Sequence, residues 1–162
     1  VARQVERMDT ISPALGARVV ARAWVDPAFK AQLLADGSAA VRAFGVEMGT
    51  TPLHVVENTE SVHNMIVCTL CSCYPKPLLG IPPDWYKSFE YRSRAVREPR
   101  AVLAEFGVRL PDEFTVRVHD STADLRYLVL PRRPEGTEGW DEARLAELVS
   151  RDCMIGTALP SG

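Results

Sequence analysis

Cys68, Cys71 and Cys73 fall within six consecutive positions, in the run Val67-Cys68-Thr69-Leu70-Cys71-Ser72-Cys73-Tyr74. An extended strand cannot gather these thiols, because its side chains alternate faces over a long rise per residue. A tight loop can turn all three sulfurs inward around one metal ion, with the peptide nitrogens of Ser72 and Cys73 entering the same small volume. Structural zinc generally takes four side chains that arrive as two separated pairs. Here there is a single triplet, and a fourth ligand would have to be Cys153, His63 or water. Iron–sulfur clusters normally use four cysteines at other spacings. A disulfide between residues this close would be strained. The run therefore favours a metal loop, with ordinary buried or redox-reactive cysteines as the alternative.

The run Cys68-Thr69-Leu70-Cys71-Ser72-Cys73 resembles the metal-binding claw of the nitrile hydratase alpha subunit. The resemblance continues upstream through Val56-Glu57-Asn58-Thr59 and Val62-His63-Asn64. Downstream it takes in Leu79-Gly80-Ile81-Pro82-Pro83-Asp84-Trp85, Tyr91-Arg92-Ser93-Arg94 and Arg97-Glu98-Pro99-Arg100. Val129-Leu130-Pro131, Gly136-Thr137-Glu138-Gly139-Trp140 and Met154-Ile155-Gly156 complete it, so it runs from about Gly16 to Gly156.

The resemblance implies a metal set of three sulfurs (Cys68, Cys71, Cys73) and two deprotonated amides (Ser72, Cys73), with a sixth position open on a low-spin trivalent ion. It also implies oxidation of Cys71 to the sulfinic and Cys73 to the sulfenic acid, the early rungs of the thiol oxidation ladder. Anionic amides and thiolates are strong donors that damp the Lewis acidity of the ion. Oxidising two sulfurs withdraws electron density and restores it. Thr69 follows the cobalt class, so Co(3+) is expected, with Fe(3+) as the alternative; that correlation has no physical account here. The implied reaction is hydration of a nitrile to its amide. The metal would act on the nitrile nitrogen or on water, or else the oxygen of oxidised Cys73 would act as nucleophile or base. Cys71 and Cys73 are thus the expected catalytic residues.

An oxidised claw needs cationic donors, and the arginine fork matches two acceptor oxygens. In the resembled family these come from a beta-type subunit, so a partner is expected to complete the cavity. The run Arg92, Arg94, Arg97, Arg100 reads instead as a solvated face or subunit contact. Lys76 departs from the family, where tryptophan commonly lines the substrate pocket at this point. A lysine removes a flat apolar wall and adds a mobile charge. The departure points to a bulky heteroaromatic or nucleoside nitrile, as in the toyocamycin-type branch. Tyr74 is a further candidate for the pocket, its hydroxyl orienting the claw. His63 is expected to be a hydrogen-bonded structural residue. Cys153 reads as a small buried residue, and Trp24, Trp85 and Trp140 as core or interface aromatics. Alternative functions are the cobalt subunit of a thiocyanate hydrolase, a noncatalytic metal-carrying accessory protein and a zinc module. Neither a Ser/His/Asp triad nor a cysteine–lysine–glutamate nitrilase pattern is apparent.

The elements that must hold this loop come from 162 residues, 46% hydrophobic and 25% charged, with a net charge of −2. That length suits one domain, here 1–162, burying roughly 70% of its unfolded surface. It divides into a helical 1–50 and a metal-binding α+β part, 51–162. The near-balanced charge argues against nucleic acid or an anionic membrane surface as a partner. No run approaches transmembrane length, no leader pattern opens the chain as given, and clustered thiols suit a cytoplasmic metal site. Only Lys30, Lys76 and Lys87 of the 19 basic residues are lysines, a mark of a GC-rich genome rather than of function.

Ser12-Pro13 and Asp26-Pro27 look like N-caps followed by proline, and Gly37 and Gly45 like helix stops. Helices are expected at 13–23, 27–35, 38–44, 83–94, 99–106 and 141–150. The last presents Leu145, Leu148 and Val149 on one face. Leu53–Glu57 and Val62–Val67 read as strands leading into the claw. The prolines at 75, 77, 82 and 83 are expected to stiffen the following segment without regular structure. Residues 114–118 and 125–130 read as a hairpin around Asp120–Asp124. Blocks of helices and strands indicate α+β, and the resemblance implies four layers, α-β-β-α.

Overall fold

Thirteen short elements occur in the computed structural model, which describes residues 13–70 and 73–161. Among the described residues three helices come first: α1 (Ala14–Val25), α2 (Pro27–Ala35) and α3 (Gly37–Ala43). The Asp26 carboxylate accepts from the Ala28 and Phe29 amides and caps α2, as its place before a proline predicts. Ser12 lies outside the described residues. Gly45 ends α3 with φ +91°, as expected.

Gly37 is a correction. It is not a stop but the first residue of α3, capped by Asp36 through the Ala39 amide. A β-carbon on Gly37 would lie 2.5 Å from the Leu53 carbonyl, so the glycine is there for close approach to a strand.

Strands β1 (Leu53–Glu57) and β2 (Val62–Val67) have the expected bounds. β3 (Thr115–Asp120) and β4 (Arg126–Leu130) do not form the expected hairpin. β3 pairs parallel with β2 and β4 parallel with β1, giving two separate two-stranded sheets. The turn signal was sound, since Thr122 and Leu125 form an isolated antiparallel bridge. The chain then crosses to the other sheet, because β2 is buried over nearly its whole length and needs a partner for its backbone. α2 and α3 pack on β1, the sheets face each other, and the later helices α6 (Phe89–Arg97) and α7 (Pro99–Glu105) cover β2 and β3. This is the α-β-β-α order.

Three further corrections follow from capping. The segment after the claw contains a helical turn, α4 (Lys76–Leu79), which tolerates Pro77 within its first turn. Leu78 and Leu79 are fully buried, and Gly16 of α1 lets the Leu78 carbonyl come within 2.7 Å of where a β-carbon would stand. The helix expected at 83–94 is two, α5 (Asp84–Lys87) and α6, because Ser88 is extended and its hydroxyl caps the Tyr91 amide. The helix expected at 141–150 stops at Ala146, as α8 (Glu142–Ala146). A second, α9 (Arg151–Ile155), starts from the Ser150 cap. Leu145 and Val149 are buried and Leu148 is half-buried. No described helix is long and apolar enough to cross a membrane.

Candidate metal centre

Strand β2 delivers the chain to the claw. Its register with β3 sets Val67 beside Asp120, and the Ser121 amide donates to the Val67 carbonyl at 2.7 Å. That pairing presents the Asp120 carboxylate to Thr69: Oδ1 accepts from the Thr69 amide at 2.9 Å and Oδ2 from its hydroxyl at 2.6 Å. The first turn of the claw is thus fixed from the neighbouring strand. Cys68 is fully buried, and Cys73 is half-buried against the same core. Cys71 and Ser72 lie outside the described residues.

The far end is held by Tyr86 on α5. Its hydroxyl donates to the Cys73 carbonyl at 2.8 Å, and its ring meets Tyr74 edge-on at 5.0 Å. Burial pushes the Tyr86 phenol far above the ordinary tyrosine range, and the nearby Tyr91 and Cys68 push it in the same direction. Ser121 acts in the opposite sense on Tyr86, yet its buried hydroxyl forms no directed hydrogen bond. One tyrosine hydroxyl therefore stands near both the first and the last claw cysteine, as a fixed donor. Tyr91 adds a second tie, from its hydroxyl to the Ile66 carbonyl at 2.6 Å, and Trp85 packs on its ring at 4.8 Å.

Tyr74 is buried and its hydroxyl has no hydrogen-bond partner among the described residues. Its phenol is raised by burial, lowered by Arg151 and raised by Asp152. Lys76 is exposed on the first turn of α4, three residues after Cys73. His63 is structural: Nε2 donates to the Gly156 carbonyl at 2.7 Å while Nδ1 accepts from the Asn58 amide at 3.4 Å. His119, assigned no role from sequence, donates to Asn64 Oδ1 at 2.8 Å. Asn64 in turn is tied to Asn58, whose Oδ1 accepts from the Asn64 backbone amide at 2.7 Å. Cys153 is buried beside the Ser150 hydroxyl at 3.1 Å. Trp24 donates to the Pro131 carbonyl at 2.8 Å, and Trp140 stacks under the Arg144 guanidinium at 3.6 Å.

Sequence reasoning missed Asp120, Ser121, Tyr86 and Tyr91 as supports of the loop. No spacing signal connects them to the claw; the parallel register and the packing of α5 and α6 do. The one local hint at Asp120 was its place at the start of the turn between two strand-like runs.

The buried histidines give a pH expectation. Burial holds His63 below the ordinary histidine range despite the Gly156 carbonyl. Burial, then His54 and Arg117, does the same for His119. Below about pH 6.5 the unfolded chain takes up protons that the folded chain resists. Stability contributed by these neutral rings is therefore full above pH 6.5 and is lost as pH falls below it. Urea midpoints measured from pH 7.5 to 5 should fall, and the slope should be shallower in His63→Gln. A midpoint independent of pH over that range would contradict the assignment.

The described residues fit a soft metal: one thiol fully buried, one half-buried against the same apolar core, and a loop pinned at both ends. They sit on an α+β scaffold of two parallel two-stranded sheets. Residues 1–158 match the family model of the nitrile hydratase alpha chain, and the chain belongs to that family. It is 57% identical over 152 residues to the low-molecular weight cobalt-containing nitrile hydratase subunit alpha of Rhodococcus rhodochrous, covering 93% of this chain and 73% of the relative. It is 49% identical over 163 residues to the thiocyanate hydrolase subunit gamma of Thiobacillus thioparus, covering 93% and 67%. Among solved structures, a double mutant of the Fe-type nitrile hydratase from Comamonas testosteroni Ni1 superposes with TM-score 0.91 at 50% identity, over 94% of this chain and 75% of that one. A recombinant thiocyanate hydrolase with partially modified cobalt centres gives 0.90 at 48%, over 96% and 77%.

Proposed function

We propose that this chain is the metal-bearing subunit of a nitrile hydratase, converting a nitrile to its amide at a low-spin Co(III) centre. Cys68, Cys71 and Cys73 would hold the ion through sulfur, and Ser72 and Cys73 through their amides. The observation that carries the reading is the claw pinned at Thr69 by Asp120 and at Cys73 by Tyr86. Bound cobalt supplies a Lewis acid. The chain's own part is to keep two sulfurs in an apolar setting and to fix the loop so that its open face does not drift. Cobalt-containing relatives support the metal. Cys71 and Cys73, oxidised to sulfinic and sulfenic acid, would be the catalytic residues.

A beta-type subunit would close the cavity. Leu70, Phe89 and Val96 are 85%, 77% and 52% exposed around the claw, an apolar surface that favours a partner. Tyr74 directly follows Cys73, Lys76 stands three residues after it, and these two are the proposed pocket residues. An exposed lysine there leaves room for a bulky nucleoside-type nitrile. The same cation suits a small anion, which supports thiocyanate as the second reading, alongside the relative of that activity.

The test is the complex matured with its co-expressed subunits, in wild-type and Lys76→Trp forms. Peptide mass spectrometry should find two added oxygens on Cys71 and one on Cys73, with one cobalt per chain. Rates on a small aliphatic nitrile, a nucleoside nitrile and thiocyanate should favour the nucleoside nitrile in wild type and shift towards the small nitrile in the variant. Faster turnover of thiocyanate selects the second reading. Zinc with unmodified thiols overturns both.

A further inference from the structure

The four arginines at 92, 94, 97 and 100 are not equivalent. Arg94 donates to Glu98 at 2.6 Å and to Glu105 at 3.1 Å. Arg97 Nε lies 3.4 Å from the Ser93 carbonyl, and Arg100 reaches the carbonyls of Pro111, at 3.3 Å, and Phe114. Arg92 differs: its Nε is buried and has no acceptor among the described residues. A buried guanidinium N–H without an acceptor is unfavourable, and it is relieved when an acceptor arrives from outside. Arg92 lies in a groove of about 540 Å³ together with Thr69, Phe89, Ser93, Val96 and Arg97. Among the described residues two guanidiniums and no carboxylate line this groove, while its shoulders are the exposed Phe89 and Val96. A planar fork flanked by apolar surface matches a carboxylate, which accepts two parallel hydrogen bonds. Arginines flanked by groups that exclude water are also the usual anchors of protein interfaces.

We propose that Arg92 is the anchor for an aspartate or glutamate of the partner subunit, inserted between Phe89 and Val96. This rests on the two-subunit reading above and adds to it the chemistry of the partner. Thr69 lines the same groove and is also the residue held by Asp120, so the docked carboxylate would abut the claw.

The experiment uses the complex assembled with its co-expressed second subunit, diluted and followed by analytical ultracentrifugation. Arg92→Met should weaken association at least about thirtyfold, the lower end of the range seen when one partner of a buried charge pair is truncated. Arg92→Lys, which keeps the charge but lacks the Nε–H, should weaken it less. Arg109→Met, the same loss of charge at an exposed site outside this groove, should leave it unchanged. A folded Arg92→Met chain that associates as wild type overturns the inference alone. The same holds if association is unchanged while oxidation of Cys73 is lost, because the side chain would then serve the claw. A wild-type chain that forms no complex overturns the two-subunit reading and this pairing with it.

Discussion

Replacing Cys68 by serine should leave a folded chain that holds less than about a tenth of the wild-type cobalt and turns over nitrile at least about a thousandfold more slowly. The magnitude follows from the chemistry: a bound metal supplies several kcal/mol of stabilisation, and each 1.36 kcal/mol is about a factor of ten in rate. Cys68 is the informative position because it is fully buried at the end of β2 and packs in the core. A serine hydroxyl there is a hard, weakly acidic donor that cannot act as a soft thiolate. It also places a hydroxyl, more polar than a thiol, in largely apolar surroundings, at a cost of up to roughly 1–3 kcal/mol. Cys68→Ala separates the two effects, since it lacks the ligand but keeps the site apolar. Both variants should lose metal together, and any difference in stability between them reports the buried hydroxyl against the small cavity that alanine leaves. Metal analysis on matured complexes decides it. A full complement of cobalt and normal turnover in both variants would show that the ligand set is wrong.

Gly156→Ala should destabilise the protein by roughly 3 kcal/mol or more, combining backbone strain of about 1–3 kcal/mol with overpacking of about 1–3 kcal/mol. Gly156 adopts φ +100° in the left-handed cap of α9. An added β-carbon would stand 2.2 Å from the Asn64 carbonyl oxygen and 2.6 Å from the Met65 Cα. Neither neighbour can yield cheaply, because both are backbone atoms of β2, the strand that feeds the claw. The Gly156 carbonyl also accepts from His63, so displacing it strips the buried imidazole of its acceptor. The urea midpoint should fall well below that of wild type, and the damage should spread to metal loading. An unchanged midpoint would mean that α9 does not press on β2 as described.

Much of the local structure was legible from sequence because it is written in short-range chemistry. Asp26 ahead of Pro27 specifies the start of a helix, and the β-branched runs at 53–57 and 62–67 specify strands, each independent of distant partners. The turn near Asp120–Asp124 was equally legible, but its consequence was not. A turn between two strand-like runs normally makes a hairpin, yet here each strand has its partner elsewhere: a parallel neighbour costs a long loop closure and leaves no local trace. Ser88 and Ser150 were read as helix interior or end when they are caps, since nothing in their immediate sequence ranks one role above the other.

The same division runs through the metal centre. Three thiols in six positions are a local fact, and the proposed donor set is legible in the sequence by itself, because ligand chemistry depends on residue type and near spacing. What holds the donors still was decided only by tertiary structure. Asp120 reaches Thr69 through a strand register, Tyr86 reaches Cys73 by the packing of a one-turn helix, and the Arg92 Nε is left without an acceptor among the described residues. Those contacts join residues from 13 to 51 positions apart, and only the folded chain brings them within hydrogen-bonding distance.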